Sequence, residues 1–194
     1  ALDAIERAVT ENGPSSNRHH LAHLQVVHPD DIARFARLEV TANAQPLWAC
    51  HEVQMDELTI PFLGEPRSSW QYPFADLLRA GAHLAAGSDW PVSSANPLEG
   101  MHVAVNRIAP GATGDYTEPL YPHNRLTLAE AYSAYTAGTA RIMHHDDVNG
   151  HLVEGAYADL VVLDRNPFDG DAQSIAETRV DQTYVEGELV FHKT

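Results

Sequence analysis

Three times in its first two-thirds the chain pairs a short apolar run with a helical pattern. After that the pattern stops. This alternation limits the possible folds more than any other feature. The runs are His19 to Val27, Thr41 to Trp48 and His83 to Gly87. The gaps between them are long enough for the crossover helices that parallel strands require. The organisation is therefore parallel α/β.

The helical stretches carry their own signals. Leu2, Ile5, Ala8 and Val9 follow the spacing of a helix with one buried face, and Asn12-Gly13-Pro14-Ser15-Ser16 ends it. His28-Pro29-Asp30-Asp31 opens a second helix, with acids in its first turn where they complement the helix dipole. Ile32, Phe35, Ala36 and Leu38 lie along one side of it. Phe74 to Ala80 is a third, with Gly81 at the expected C-terminal position. Pro97 to Ile108 follows, and then one or two helices over Thr127 to Met143, opened by Thr127 and Glu130 as a capping box. Met55 to Trp70 is ambiguous, with Pro61, Gly64 and Pro66 marking a loop within it. Ala109 to Arg125 reads as a loop rich in Pro and Gly, long enough to suggest function.

From about residue 146 the pattern changes. Ala158 to Asp164 reads as a buried strand, and Thr183 to Phe191 as a hairpin turning at Glu186-Gly187. The expected division is a parallel α/β part over 1–145 and a small β part over 146–194.

Composition narrows the functions. The 12 lysines and arginines stand against 27 aspartates and glutamates, a net charge of −15. That argues against nucleic acids and anionic membrane surfaces as partners. A single cysteine, Cys50, excludes an internal disulfide framework. No apolar stretch approaches the length of a membrane span. The chain opens inside a helical pattern with no initiator Met, which is the pattern of a fragment. Cytoplasmic is the default location, but a start inside a helix means that the lack of a signal peptide does not argue for it.

The 12 histidines are the compositional oddity and raise the expectation of a metal or acid–base site. In α/β barrels the chemistry sits at the C-terminal ends of the strands. His23 lies near the end of the first run, and Asp89 ends the third, in Gly87-Ser88-Asp89-Trp90-Pro91. Equivalent ends of strands two units apart face a common mouth. An imidazole nitrogen and a carboxylate oxygen suit zinc, and a carboxylate beside zinc-bound water can take its proton. The ordinary alternatives stand beside this. An aspartate before Trp-Pro is commonly a turn residue, and a strand histidine is commonly hydrogen-bonded in place. By the strand period, His19 shares the face of His23 and His20 points the other way. No H-x-H or H-E-x-x-H spacing occurs.

Several segments, in order, resemble the amidohydrolase superfamily, in the branch that includes N-substituted formamide deformylase and exoenzyme-regulatory-type proteins. Arg18 to Gln25 resembles its histidine-bearing strand, and Gln45-Pro46 a strand end. Leu63 to Arg67 resembles a loop ending in arginine, and Gly87 to Val92 the G-S-D-x-P-V strand. Asn96 to Gly100, Leu126 to Ala131 with Tyr135-Thr136, and Gly155 to Asp164 continue the match. Together they cover nearly the whole chain.

The resemblance implies an α/β fold: the C-terminal part of a (β/α)8 TIM barrel, about strands 6 to 8, followed by strands of a small β-sandwich domain. It implies His23 and Asp89 as ligands of one or two divalent metals, zinc by preference, with Asp89 also the general base. It places Arg67 and Trp90 near the substrate. The expected activity of the parent protein is hydrolysis of an amide or other C–N bond in a small molecule. Ala22 departs from the pattern, standing where the family has Glu. The family's His-x-His and a further strand-end histidine do not occur in this sequence. The chain alone is thus expected to be inactive. The alternative is a non-catalytic binding or regulatory protein on the same scaffold. Three strands cannot close an eight-stranded barrel. Exposed barrel edges therefore imply self-association or pairing with the missing half.

Overall fold

A computed structural model describes residues 1–194. Strands β1 (His20–His23), β2 (Thr41–Ala44) and β3 (Leu84–Ala86) form one parallel sheet in the order β1-β2-β3. The sheet is open: three strands make part of a barrel and do not close one. Helix α1 (Leu2–Asn12) precedes β1, and α2 (Pro29–Arg37) crosses from β1 to β2. His28 caps α2, its Nδ1 accepting from the Asp30 amide at 3.2 Å.

The crossover from β2 to β3 holds α3 (Ile60–Leu63) and α4 (Phe74–Arg79). Here Met55 to Trp70, ambiguous in the sequence, is helical for much of its length. A π turn at Met55–Thr59 runs directly into α3, and a 3-10 turn follows at Arg67–Trp70. Pro61 is tolerated because it sits at the start of α3, where its missing N–H coincides with the widened π turn.

Strand period explains the layering. Leu21, Ala42, Ala44, Leu84 and Ala86 share one face of the sheet and join the apolar core. Phe35 of α2, with Phe74 and Leu77 of α4, is buried in that core. The other face carries His20, Ala22, Asn43 and Ala85, and at β1 it is open.

After β3 come α5 (Pro97–Asn106), α6 (Leu128–Ser133) and α7 (Thr139–Ile142). Thr127 and Glu130 form the expected capping box. A π turn at Ala134–Gly138 joins α6 to α7 and lies against β3. Gly138 makes that contact possible, since a Cβ there would stand 2.1 Å from the Leu84 carbonyl oxygen.

The tail forms a separate antiparallel sheet, β4 (Leu160–Leu163), β5 (Val180–Val185) and β6 (Glu188–His192), with the hairpin turn at Glu186-Gly187 as expected. Strand β4 is not buried as its sequence suggests. Val161 and Val162 stand exposed on its two faces, so neither side of β4 is packed against the core. A 3-10 turn at Ala172–Glu177 docks the tail on α5, where Ile175 is buried and the Asn106 side chain donates to the Ala172 carbonyl at 2.8 Å.

Candidate metal centre

The parallel register aligns His23, Ala44 and Ala86 as one row at the C-terminal edge of the sheet. Asp89 lies three residues beyond Ala86. His23 and Asp89 therefore stand on the same edge, on strands that lie two spacings, or about 10 Å, apart.

At His23 the backbone turns left-handed, with φ 71, and Leu24 follows at φ 56. These values end the strand and release the side chain from its alternation. Strand β2 braces the turn. The buried Gln45 side chain accepts from the His23 amide at 2.6 Å, and its amide group donates to Asn43 Oδ1 at 3.2 Å. The His23 ring stacks on Trp48 with centroids 5.2 Å apart. His23 lines a cavity of about 400 Å³ on the free side of β1, together with Ala22 and Gln25.

Asp89 also adopts a left-handed conformation, φ 55, and its side chain is exposed. Its carbonyl accepts from the Val92 amide at 2.8 Å, and Ser93 donates to the Ser88 carbonyl. A tight turn thus presents the carboxylate at the strand end. Trp90 beside it is 70% exposed. Arg67 is exposed on its 3-10 turn, with Nε donating to the Leu63 carbonyl at 3.1 Å.

The fit to a metal is incomplete. His23 and Asp89 are suitable donors, but zinc centres take at least three protein ligands. No three His, Cys, Asp or Glu side chains of this chain converge as a metal-binding group. His19 does not join them. It precedes β1 and lines a cavity at the opposite, N-terminal edge of the sheet.

Two further features have no clear sequence signal. His51, in the segment after β2, pairs through Nδ1 with Asp56 Oδ1 at 2.6 Å. A spacing of five residues across a loop and a π turn carries no periodic signature. Arg107 ends α5 in a left-handed conformation and is fully buried. It donates to the Leu120 and Tyr72 carbonyls at 2.9 and 3.2 Å and lies 5.6 Å from the Phe74 ring centroid. Burial pushes its guanidinium down to about 10. The same apolar surroundings push the Cys50 thiol up to about 11, which leaves it protonated and a poor nucleophile.

Comparison with known proteins agrees with this architecture. The chain is 32% identical over 191 residues to Protein LONG AFTER FAR-RED 3 of Arabidopsis thaliana, covering 98% of this chain and 31% of that protein. It is 32% identical over 194 residues to N-substituted formamide deformylase of Arthrobacter pascens, covering 100% of this chain and 34% of the relative. The chain thus spans about a third of the length of these curated relatives. Among solved structures, an uncharacterized metal-dependent hydrolase from Pyrococcus horikoshii superposes with a TM-score of 0.69 at 28% identity, over 87% of this chain and 32% of that one. The profile described as "Amidohydrolase family" matches residues 1–191, and the chain belongs to that family.

Proposed function

We propose that the protein hydrolyses an amide or other C–N bond of a small molecule, and that this chain contributes His23 and Asp89 to its divalent-metal centre. Zinc is the metal these donors suit, with the remaining ligands outside these residues. The observation that carries the reading is the placement of an exposed imidazole and an exposed carboxylate on one C-terminal strand edge. The formamide deformylase relative and the metal-dependent hydrolase structure support it.

The residues of this chain take defined roles. The Asp89 carboxylate accepts a proton from the attacking water and passes it to the leaving nitrogen. Trp90 offers an exposed apolar surface beside it. Arg67 keeps its terminal nitrogens available for a substrate oxygen, since only Nε is bonded to Leu63. The 194 residues alone are expected to be inactive, because no third ligand converges on His23 or Asp89.

The test is turnover of an N-alkylformamide by the intact protein, followed by amine release. Asp89→Asn is expected to lower kcat about a thousandfold. Full activity in that variant would end the reading. Ala22, which occupies the position of a family glutamate, favours a second reading, in which the scaffold binds a ligand without turnover. Intact protein that is purified metal-free and binds the formamide without consuming it would establish that alternative.

A further inference from the structure

At the N-terminal edge of the parallel sheet, opposite His23 and Asp89, lies a cavity of about 540 Å³. That volume is within the range of small-molecule sites. Its walls come from the turn after α1 (Ser15, Ser16), the entry to β1 (Arg18, His19), the end of α2 (Arg37) and the end of α7 (Arg141). Three arginines and a histidine thus meet in one hollow of a chain with net charge −15. Glu39 is the acid among the lining residues.

Two of the three guanidiniums have structural partners. Arg18 Nη1 donates to Asp146 at 2.5 Å and to the Arg141 carbonyl at 2.7 Å. Arg37 bonds to Glu6 at 3.0 Å. Arg141 is different: its guanidinium forms no ion pair and no hydrogen bond, and of its nitrogens only Nε is closed off from solvent. Its terminal nitrogens are unpartnered donors, free to take the oxygens of an anion. Barrel residues at this edge usually serve stability, and the pairs Arg18–Asp146 and Arg37–Glu6 fit that role. Arg141 does not.

We propose that this cavity binds a small oxyanion of the phosphate class, free or as a monoester, with Arg141 as its principal ligand. The planar guanidinium fork matches the oxygens of such an anion. Arg18 and His19 flank it, and the serine hydroxyls lie in the same wall. The site is independent of the proposed hydrolysis, which belongs to the other edge of the sheet.

The experiment is calorimetric titration of the intact protein with inorganic phosphate and with an alkyl phosphate, at fixed ionic strength. Saturable binding is expected, and Arg141→Gln is expected to weaken it about tenfold. That substitution keeps the backbone carbonyl that Arg18 uses. Arg37→Gln, at an exposed surface pair, is a second variant that leaves the fold intact and is expected to weaken binding about threefold. Tighter binding of the alkyl phosphate assigns the site to a monoester, and tighter binding of inorganic phosphate assigns it to the free ion. Absence of saturable binding, or equal affinity in wild type and Arg141→Gln, overturns the proposal. The amine-release assay is read separately, so failure here leaves the hydrolase reading intact.

Discussion

His102 lies buried on α5 with neither ring nitrogen hydrogen-bonded. Burial holds its pKa below the usual imidazole value, and Glu177 on the docked tail opposes this weakly. Above about pH 6.5 the ring is neutral in both folded and unfolded chains. As the pH falls, the unfolded chain takes up the proton first, so the folded state loses stability. The urea midpoint is therefore expected to drop between about pH 7.5 and 5.5, and His102→Leu is expected to reduce that drop. An unchanged drop in the variant would show that His102 does not contribute. His83 titrates in the same direction, through burial and Arg141, so part of the slope remains. At this scale the sequence is legible only in part. The strand-end positions of His23 and Asp89 follow from order along the chain. The His51–Asp56 pair, the burial of His102 and the partners of Arg107 do not, because each depends on how the backbone around it folds.

Elements were legible where their signals are local. The Thr127–Glu130 capping box lies within four consecutive residues, and the Glu186-Gly187 turn brings its own backbone geometry. The two π turns were not legible, since a widened turn is set by what the helix packs against. Gly138 shows the physical reason. The second π turn presses on β3 so closely that a methyl group at this position would meet the Leu84 carbonyl oxygen and come within 3.1 Å of the Ala85 Cα. Both obstacles are backbone and cannot rotate away. Gly138→Ala is expected to cost about 2 kcal/mol in urea unfolding. Gly87→Ala, where a Cβ would meet nothing within 4 Å, is expected to change stability by less than about 0.5 kcal/mol. Equal stabilities for the two variants would refute the close approach at β3.

For the molecule as a whole, the two sheets leave different surfaces unpartnered. The outer side of β1 has no neighbouring strand, and unpaired strand edges are templates for association. The tail sheet adds an apolar row: the register sets Val161, Thr183 and Phe191 side by side, with Val161 51% and Phe191 49% exposed. The alternation of strands and helices made the parallel sheet legible. It also implied that three strands leave a barrel open, although the apolar run of β4 suggested more burial than the tail sheet achieves. The consequence concerns the 194-residue chain produced by itself. It is expected to elute from a sizing column above its monomer mass of 21.3 kDa at micromolar concentration, with light scattering confirming the mass. Exposed apolar surface drives such association, and placing charge in it opposes it. The double substitution Val161→Lys and Phe191→Lys is therefore expected to shift the population toward monomer, because both side chains lie on one exposed row and contribute nothing to the main core. A wild-type chain that stays monomeric at every concentration would show that these open surfaces are tolerated in solution. Association that persists unchanged in the double variant would place the contact on the edge of β1 instead.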